Sequence, residues 1–390
     1  MNIHPLKISL YIIVALLALL GLTYVSKTHT IEVGKEQDGF SLFNNVIKYP
    51  TTSTFFKNPN LTQVNKQVYE NIVENIETVV KEVEHKIPDF TKIDSTKIER
   101  ISYPKASSDF IKKLRAQLES AECRIIHYGD SQLEGDRISA YLRNRLQGMY
   151  CGSGPGFIPI KQVYSQISAD VTASENWQRF AAFDPSTPLF IDKNYGAYLS
   201  VSRFTNVYDP IADSLAIQQL EPTKATIQIS PSSKLYFKLK EFTSIGLHYG
   251  NAATPIKIKV LNNGVLIKED LLISDGNYHN YQINVPATPI NLQLELEGTI
   301  SPDFYGLTLD GSKGVRLDNV AMRGNSGTTF ASLNSKSFAS MYQQLNPKVV
   351  IFQYGGNTVP YLKDSLQVTK YASYLKNHIN WVRRKSPDAS

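Results

Sequence analysis

The chain has 390 residues, 42% of them hydrophobic and 19% charged, with a formal net charge of +6 scattered along its length. That length accommodates two or three domains with sizeable cores, and the lack of any basic block argues against a nucleic-acid partner. Cys123 and Cys151 are the only cysteines; with no CxxC and no Cys/His cluster at metal-ligand spacing, no metal and no cofactor are expected. Export would permit a Cys123–Cys151 disulfide, but sequence alone does not bring their Cα atoms together, and two buried free thiols are the expected state.

From Ile8 to Val25 the chain reads ISLYIIVALLALLGLTYV, uncharged, between Lys7 and Lys27. About 18 apolar residues suffice to cross a bilayer core as a helix, and the following TYVSKTH offers no small-x-small cleavage site. Residues 1–26 therefore predict a cytoplasmic tail and an uncleaved, single-pass signal anchor. Lys7 and the amino terminus hold the tail inside and place the rest outside; the flanking charges do not identify the envelope type, and a Gram-negative periplasm is the expected compartment. Residues 27–106 follow as a linker, without clear periodicity to about residue 59, and an amphipathic helix. Its apolar stripe is Val64, Val68, Ile72, Ile76, Val79, Val83 and Ile87, ended by Pro88. Polar Asn and Glu on the other faces exclude a second span.

Residues 107–164 open a layered α/β pattern. A helix through Phe110, Ile111, Leu114 and Leu118 precedes the buried strand CRIIH. After a GDS turn, Ile138, Tyr141, Leu142 and Leu146 mark the next helix. From 165 to 309 the period changes to two, in ATIQIS, KLYFKLK, SIGLHY, IKIKVL, YQINV and NLQLELE, with Asn263-Gly264 as a hairpin signal. This segment predicts a β-sandwich or jelly-roll insert. Residues 310–390 resume the α/β pattern: the strand GVRLDNVAMRG ending at Gly324, a helix around Phe338 and Leu345, the strand KVVIFQ, and a helix carrying Leu366, Tyr371, Leu375, Ile379 and Val382. The closing SPDAS reads as a turn leading into another strand, so the α/β domain is expected to be C-terminally incomplete.

A serine hydroxyl becomes a useful nucleophile when a base takes its proton and donors face the developing oxyanion. In HYGDSQ, Gly129 permits a sharp turn after a buried strand and Ser131 sits at its tip. The first N–H groups of the following helix have no internal acceptor. Asp-Ser before a helix also reads as a simple N-cap. Two later features add to the first. Gly324 ends one strand, where backbone can approach a ligand, and Asn357 lies just past another, after Gly355 and Gly356. In a parallel sheet these three tips meet at the carboxyl edge, where such sheets bind ligands.

The segments HYGDSQ, RGNSG and QYGGN resemble the first three sequence blocks of the SGNH, or GDSL-like, hydrolases. The wider stretch HYGDSQLEGDRISAYLRNRLQ…CGSGPGFIP is similar to exported peptidoglycan O-acetylesterases, which often carry a β-rich, carbohydrate-binding-like domain. The resemblance covers residues 107–165 and 310–385. It implies a flavodoxin-like three-layer α/β/α domain in which Ser131 is the nucleophile. The Ser131 N–H, Gly324 and Asn357 would form the oxyanion hole. Thr358 stands where the family has an aspartate.

The family's Asp-x-x-His block has no counterpart after Asn357, so the triad's His and Asp are not found in this chain. His127, inside a strand, reads as a buried support for the turn, and His378 as a helix position without a catalytic role. His248 and His279 lie in the insert, where they could only meet sugar. CGSGPG, at 151–156, lacks the Lys-Ser/Thr of a phosphate loop and reads as a loop near the site mouth. Glu134, Asp136 and Arg137 read as a solvated helix start. Trp177 and the insert's tyrosines are either core or sugar-stacking faces. The expected activity is that of a membrane-anchored envelope esterase. It removes or transfers O-acetyl groups on peptidoglycan or another glycan through an acetyl-serine, the missing C-terminal part being supplied either by a continuation lost through truncation or by a separate chain. The alternative is a non-catalytic glycan-binding envelope protein, or an inactive fragment lacking the catalytic His and Asp.

Overall fold

A computed structural model describes residues 107–184, 193–208, 217–233 and 236–390, with shorter pieces at 10, 13–14, 16–18, 21, 39–42, 45–48, 96 and 213. The chain divides into two units, 1–88 and 89–390. In the first, β1 (Gly39–Leu42) pairs antiparallel with β2 (Asn45–Lys48), so the stretch expected as linker contains a hairpin. The expected anchor over 8–25 falls largely outside the described residues, and the amphipathic helix over 64–87 wholly so. Among the described residues no helix is long and apolar enough to cross a membrane.

The second unit runs α1 (Ser107–Leu118), β3 (Glu122–Gly129), α2 (Arg137–Tyr150), β4 (Gly156–Ile158), β5 (Ala169–Ala173), β6 (Gln178–Ala181), β7 (Ser200–Arg203) and β8 (Thr223–Pro231). It continues through β9 (Ser244–Gly250), β10 (Ile256–Asn262), β11 (Val265–Leu272), β12 (His279–Asn284), β13 (Leu292–Gly298) and β14 (Asp303–Asp310). It closes with β15 (Gly314–Ala321), α3 (Ser335–Leu345), β16 (Pro347–Gln353) and α4 (Ser365–Arg383).

β3 is the centre of a parallel three-stranded sheet, with β15 on one side and β16 on the other. Its near-continuous apolar run reflects burial on both faces. Cys123, Ile125, Val315 and Leu317 pack under Leu114 and Leu118 of α1 and Leu142 and Leu146 of α2. Ile126, Tyr128 and Val320 pack on the other face against Phe338, Met341 and Tyr342 of α3 and Val382 of α4. The result is three layers, helices over sheet over helices. Cys123 is buried, which pushes its thiol up to about 11. Cys151 is exposed, against expectation: it caps α2 at a positive φ of 63°, with its carbonyl accepting from the Val315 N–H at 2.9 Å and its side chain left at the surface. Both thiols are free.

The insert is two antiparallel sheets, in strand orders β11-β10-β13-β8-β5 and β12-β9-β14-β7-β6, with β4 joined to β14. They enclose Ile227, Ile229, Leu247, Ile258, Leu294, Leu307 and some twenty further apolar side chains, each worth roughly 1.5–3 kcal/mol when fully buried. Asn263 and Gly264, both at positive φ, turn β10 into β11 as the sequence indicates. Three expectations change here. Within KLYFKLK the described part is not a strand: Phe237–Lys240 forms a 3-10 turn that lets Leu239 into the core while the Lys238 carbonyl accepts from Gly154 N–H. Trp177 offers no face to sugar, because it is core, edge-on to Phe204 and Phe304. His248 is fully buried, its Nδ1 on the Tyr278 hydroxyl and its Nε2 on Thr308 Oγ1, and burial pulls it down to about 3.

Two buried polar clusters join the sheet to the insert. Arg124 on β3 donates to both carboxylate oxygens of Asp318 at 2.8 Å and to Asp310 Oδ2 at 2.5 Å. Asp318 also accepts from the Phe157 N–H at 3.1 Å and the Tyr198 hydroxyl at 2.9 Å. On α2, Arg143 pairs with Asp136 at 2.8 Å and donates to the Leu317 carbonyl at 2.7 Å, while Ser168 Oγ donates to the same aspartate. The fully buried side of α2 is thus mostly polar (Ser139, Arg143, Asn144 and Gln147, with Ala140); of the expected stripe, Leu142 and Leu146 pack on the sheet core while Ile138 and Tyr141 are exposed.

Candidate active site

Pairing in register brings Gly129, Ala321 and Gln353 side by side at the carboxyl edge of the sheet. All three candidate loops leave from there. Gly129 is fixed by space: a Cβ there would lie 2.6 Å from Leu133 Cδ1 and 2.9 Å from the Gln353 carbonyl oxygen. Asp130, buried, caps the turn by accepting from Gln132 N–H at 2.9 Å. Ser131 therefore begins a 3-10 turn, Ser131–Asp136, not the α-helix, and its side chain is exposed.

The second loop turns at Gly324, whose φ of 72° belongs to the left-handed region where glycine carries no steric cost. A Cβ there would meet nothing within 4 Å, so the space above Gly324 is open. The third loop lies against the first, since a Cβ on Gly356 would be 3.2 Å from Asp130 Oδ2. It also lies against the second: Asn357 Nδ2 donates to the Asn325 carbonyl at 3.0 Å, and Thr358 Oγ1 donates to Ser326 Oγ at 2.7 Å. Thr358 thus has work of its own as a tie between loops. Asn357 keeps a second amide hydrogen. Among the described residues neither the Ser131 N–H nor the Gly324 N–H has an acceptor, and the Ser131 hydroxyl has no partner.

No imidazole among the described residues reaches Ser131. His127 is buried in β3, where Nδ1 accepts from Ser139 Oγ at 3.0 Å and Nε2 donates to Gln353 Oε1 at 3.1 Å. Gln353 Nε2 in turn donates to Gln132 Oε1 at 3.2 Å, so His127 braces the nucleophile turn from below. His378 is buried and accepts from the Ala331 N–H at 3.1 Å, docking α4 onto the loop after Gly324. His279 pairs with Asp275 at 2.7 Å in the insert.

Burial holds His127 down to about 4 against an ordinary 6.5, so the folded protein keeps it neutral while the unfolded chain takes up a proton below 6.5. The stability it lends is complete above pH 6.5 and is lost as pH falls toward 4, by about 3 kcal/mol in all. Urea titrations at pH 7.5 and 4.5 check this. His127→Asn should flatten the difference.

The acidic run after Ser131 is not a solvated face. Asp136 is buried on Arg143 with a left-handed φ of 63°, and Glu134 receives Arg323 in a two-pronged pair at 2.8 and 2.5 Å; only Arg137 is exposed as expected. Arg323 also lies 4.3 Å over the Tyr164 ring. CGSGPG is displaced from the site mouth: Gly152 and Gly154 pack on the Val315 and Leu309 backbone, at the opposite end of β15 from Gly324. Close approach of backbones, with positive φ at Gly152, Gly154 and Gly156, accounts for its glycines. Beside Gly324 a cavity of about 440 Å³ runs between the sheet edge and the insert, lined by Glu134, Tyr164, Arg179, Phe183, Asn319 and Arg323 among others. Nothing local in the sequence marks it, because its walls come from segments far apart along the chain.

No family model matches this chain, and no curated protein matches it. Among solved structures, a peptidoglycan O-acetylesterase superposes over 73% of this chain and 70% of its own, with TM-score 0.50 and 15% sequence identity. The chain shares its overall fold with that esterase. Family two carbohydrate esterases from Clostridium thermocellum (12% identity, 44% of this chain, 69% of theirs) and Cellvibrio japonicus (10%, 56% and 78%) align with a TM-score of 0.17 and carry no weight for the fold.

Proposed function

We propose that the chain is a serine esterase acting on an O-acylated glycan of the cell envelope, peptidoglycan being the favoured substrate. One observation carries the reading. An exposed serine hydroxyl, two backbone N–H groups without acceptors among the described residues, and a side-chain amide with a hydrogen to give stand on three adjoining loops at one sheet edge. Ser131 Oγ attacks the ester carbonyl as its proton passes to a base. The tetrahedral oxyanion accepts from the Ser131 N–H, the Gly324 N–H and Asn357 Nδ2. Collapse breaks the carbonyl–alkoxy bond, the base returns the proton to the leaving sugar oxygen, and an acyl-serine remains for water, or a second sugar hydroxyl, to resolve. In this reading the base is a histidine on polypeptide outside the described residues. Residues 8–25 anchor the chain to the membrane, with the bulk on the periplasmic side.

The test is covalent. Protein from its native membrane fraction, treated with a fluorophosphonate, is expected to carry the label on Ser131, and Ser131→Ala to carry none. Ester turnover undiminished in Ser131→Ala overturns the proposal. A second reading, a glycan-binding protein without catalysis, is favoured by the partnerless Ser131 hydroxyl; a native protein that takes no label at Ser131 would support it.

A further inference from the structure

The cavity beside Gly324 is unusually rich in unmet hydrogen-bonding capacity. Among the described residues eleven buried side-chain atoms lack a partner, and four of them belong to residues lining this one cavity. Two are donors, Arg179 Nε and Gln162 Nε2, and two are acceptors, Gln166 Oε1 and Asn319 Oδ1. Buried polar atoms left unpaired are costly, and their concentration in the walls of one cavity makes those walls suited to a polar occupant. Donors and acceptors together suit hydroxyl groups, which both give and take hydrogen bonds.

The charges narrow the ligand further. Of the two arginines on the wall, Arg323 is neutralised by its two-pronged pair with Glu134. Arg179, on β6, is not. Among the described residues its one hydrogen bond is a long one to Ser200 Oγ, 3.3 Å, and its guanidinium lies over the Phe183 ring at 5.8 Å. Asp184 and Glu134 favour its charge only through space, while burial pulls its pKa below the ordinary value. Because both acids share the same wall, the site suits a singly charged anion better than a doubly charged one.

We propose that this cavity is a subsite for a carboxylate-bearing sugar, with Arg179 as the partner of the carboxylate and Gln162, Gln166 and Asn319 as partners of its hydroxyl groups. The sugar would lie with one edge at Gly324, so that an ester on that residue or its neighbour faces the Gly324 N–H. This last placement rests on the esterase reading; the acidic-sugar site does not.

Sugar carboxylates occur as uronic acids and as the lactyl ether of muramic acid, and both serve as probes. Binding of methyl glucuronide and N-acetylmuramic acid to the full chain in detergent would be followed by ligand-observed NMR, against methyl glucuronamide and N-acetylglucosamine as uncharged counterparts. One charge-assisted hydrogen-bond pair predicts that at least one acid binds roughly tenfold more tightly than its counterpart, which also tells the two sources apart. Arg179→Met should abolish that preference and Arg179→Lys should keep part of it. Equal binding of acids and counterparts by the wild-type chain overturns the proposal whatever the variants do, and so does a preference that survives in a folded Arg179→Met. A preference without a phosphonate label on Ser131 would sink the esterase reading and leave this site standing; a label without a preference does the reverse.

Discussion

Arg124→Met should lower the unfolding free energy by about 3–5 kcal/mol at neutral pH, the usual consequence of stripping one member from a buried ionic cluster. Arg124, Asp310 and Asp318 are all nearly inaccessible to water. The guanidinium is the cation shared by both carboxylates, at 2.5 Å from Asp310 and 2.8 Å from Asp318. Without it, two anions would face each other between β3, β14 and β15. The pH dependence identifies the cause. Burial already raises Asp318 above the ordinary carboxylate range, with Arg124 working against that rise, and the variant removes the opposition. A carboxyl whose folded pKa is raised lends stability below its unfolded pKa and loses it as pH rises. The deficit of Arg124→Met should therefore be deepest at pH 7–8 and shrink toward pH 4, about the unfolded carboxylate value. Urea midpoints of both proteins across that range provide the check. A deficit that does not vary with pH would point to lost packing instead. Because the same cluster ties Phe157 and Tyr198 to the sheet, and both residues line the cavity, sugar binding should weaken alongside stability.

Asn357→Ala is expected to slow acylation of Ser131 about 10²–10³-fold, the usual loss when one oxyanion donor is removed. The rival explanation is structural, since Asn357 Nδ2 also holds the Asn325 carbonyl at 3.0 Å. A single neutral hydrogen bond accounts for only about 1 kcal/mol of stability, so the two roles differ in size. Thr358→Val separates them, because it cuts the neighbouring tie to Ser326 at 2.7 Å and leaves the amide in place. Single-turnover acylation with an activated acetyl ester should fall steeply in Asn357→Ala and only slightly in Thr358→Val. Equal losses in the two variants would make Asn357 a loop tie and remove it from the oxyanion hole.

The site was legible in outline because its parts are short and local. Gly324 at a strand end and Asn357 behind Gly355 each declare a turn through a backbone freedom that acts within a few residues, whereas the glycine at 129 is required by close approach to Leu133 and to the remote Gln353 carbonyl. The two sheet periods and the Asn263-Gly264 hairpin are local in the same sense. Where the sequence misled, the deciding partner was remote. Of the α2 stripe Ile138, Tyr141, Leu142 and Leu146, the two leucines pack on the sheet, but Ile138 and Tyr141 are exposed, and Arg143 is buried because it meets Asp136 beside it and the Leu317 carbonyl on β15. KLYFKLK alternates like a strand, but Lys238 turns to meet Gly154.

By itself, then, the sequence determined the kind of most elements among the described residues of 107–390 and the places of the three turns that carry the candidate chemistry, since these follow largely from local backbone freedom and apolar period. Only the tertiary structure decided what those turns touch. Parallel pairing of β15 and β16 with β3 puts Gly129, Ala321 and Gln353 in one row, and no local preference fixes the register between segments so distant. The same holds for His127, whose neutrality is set by burial among segments distant in sequence, and for Arg179, which the fold brings to the wall of a cavity at the sheet edge.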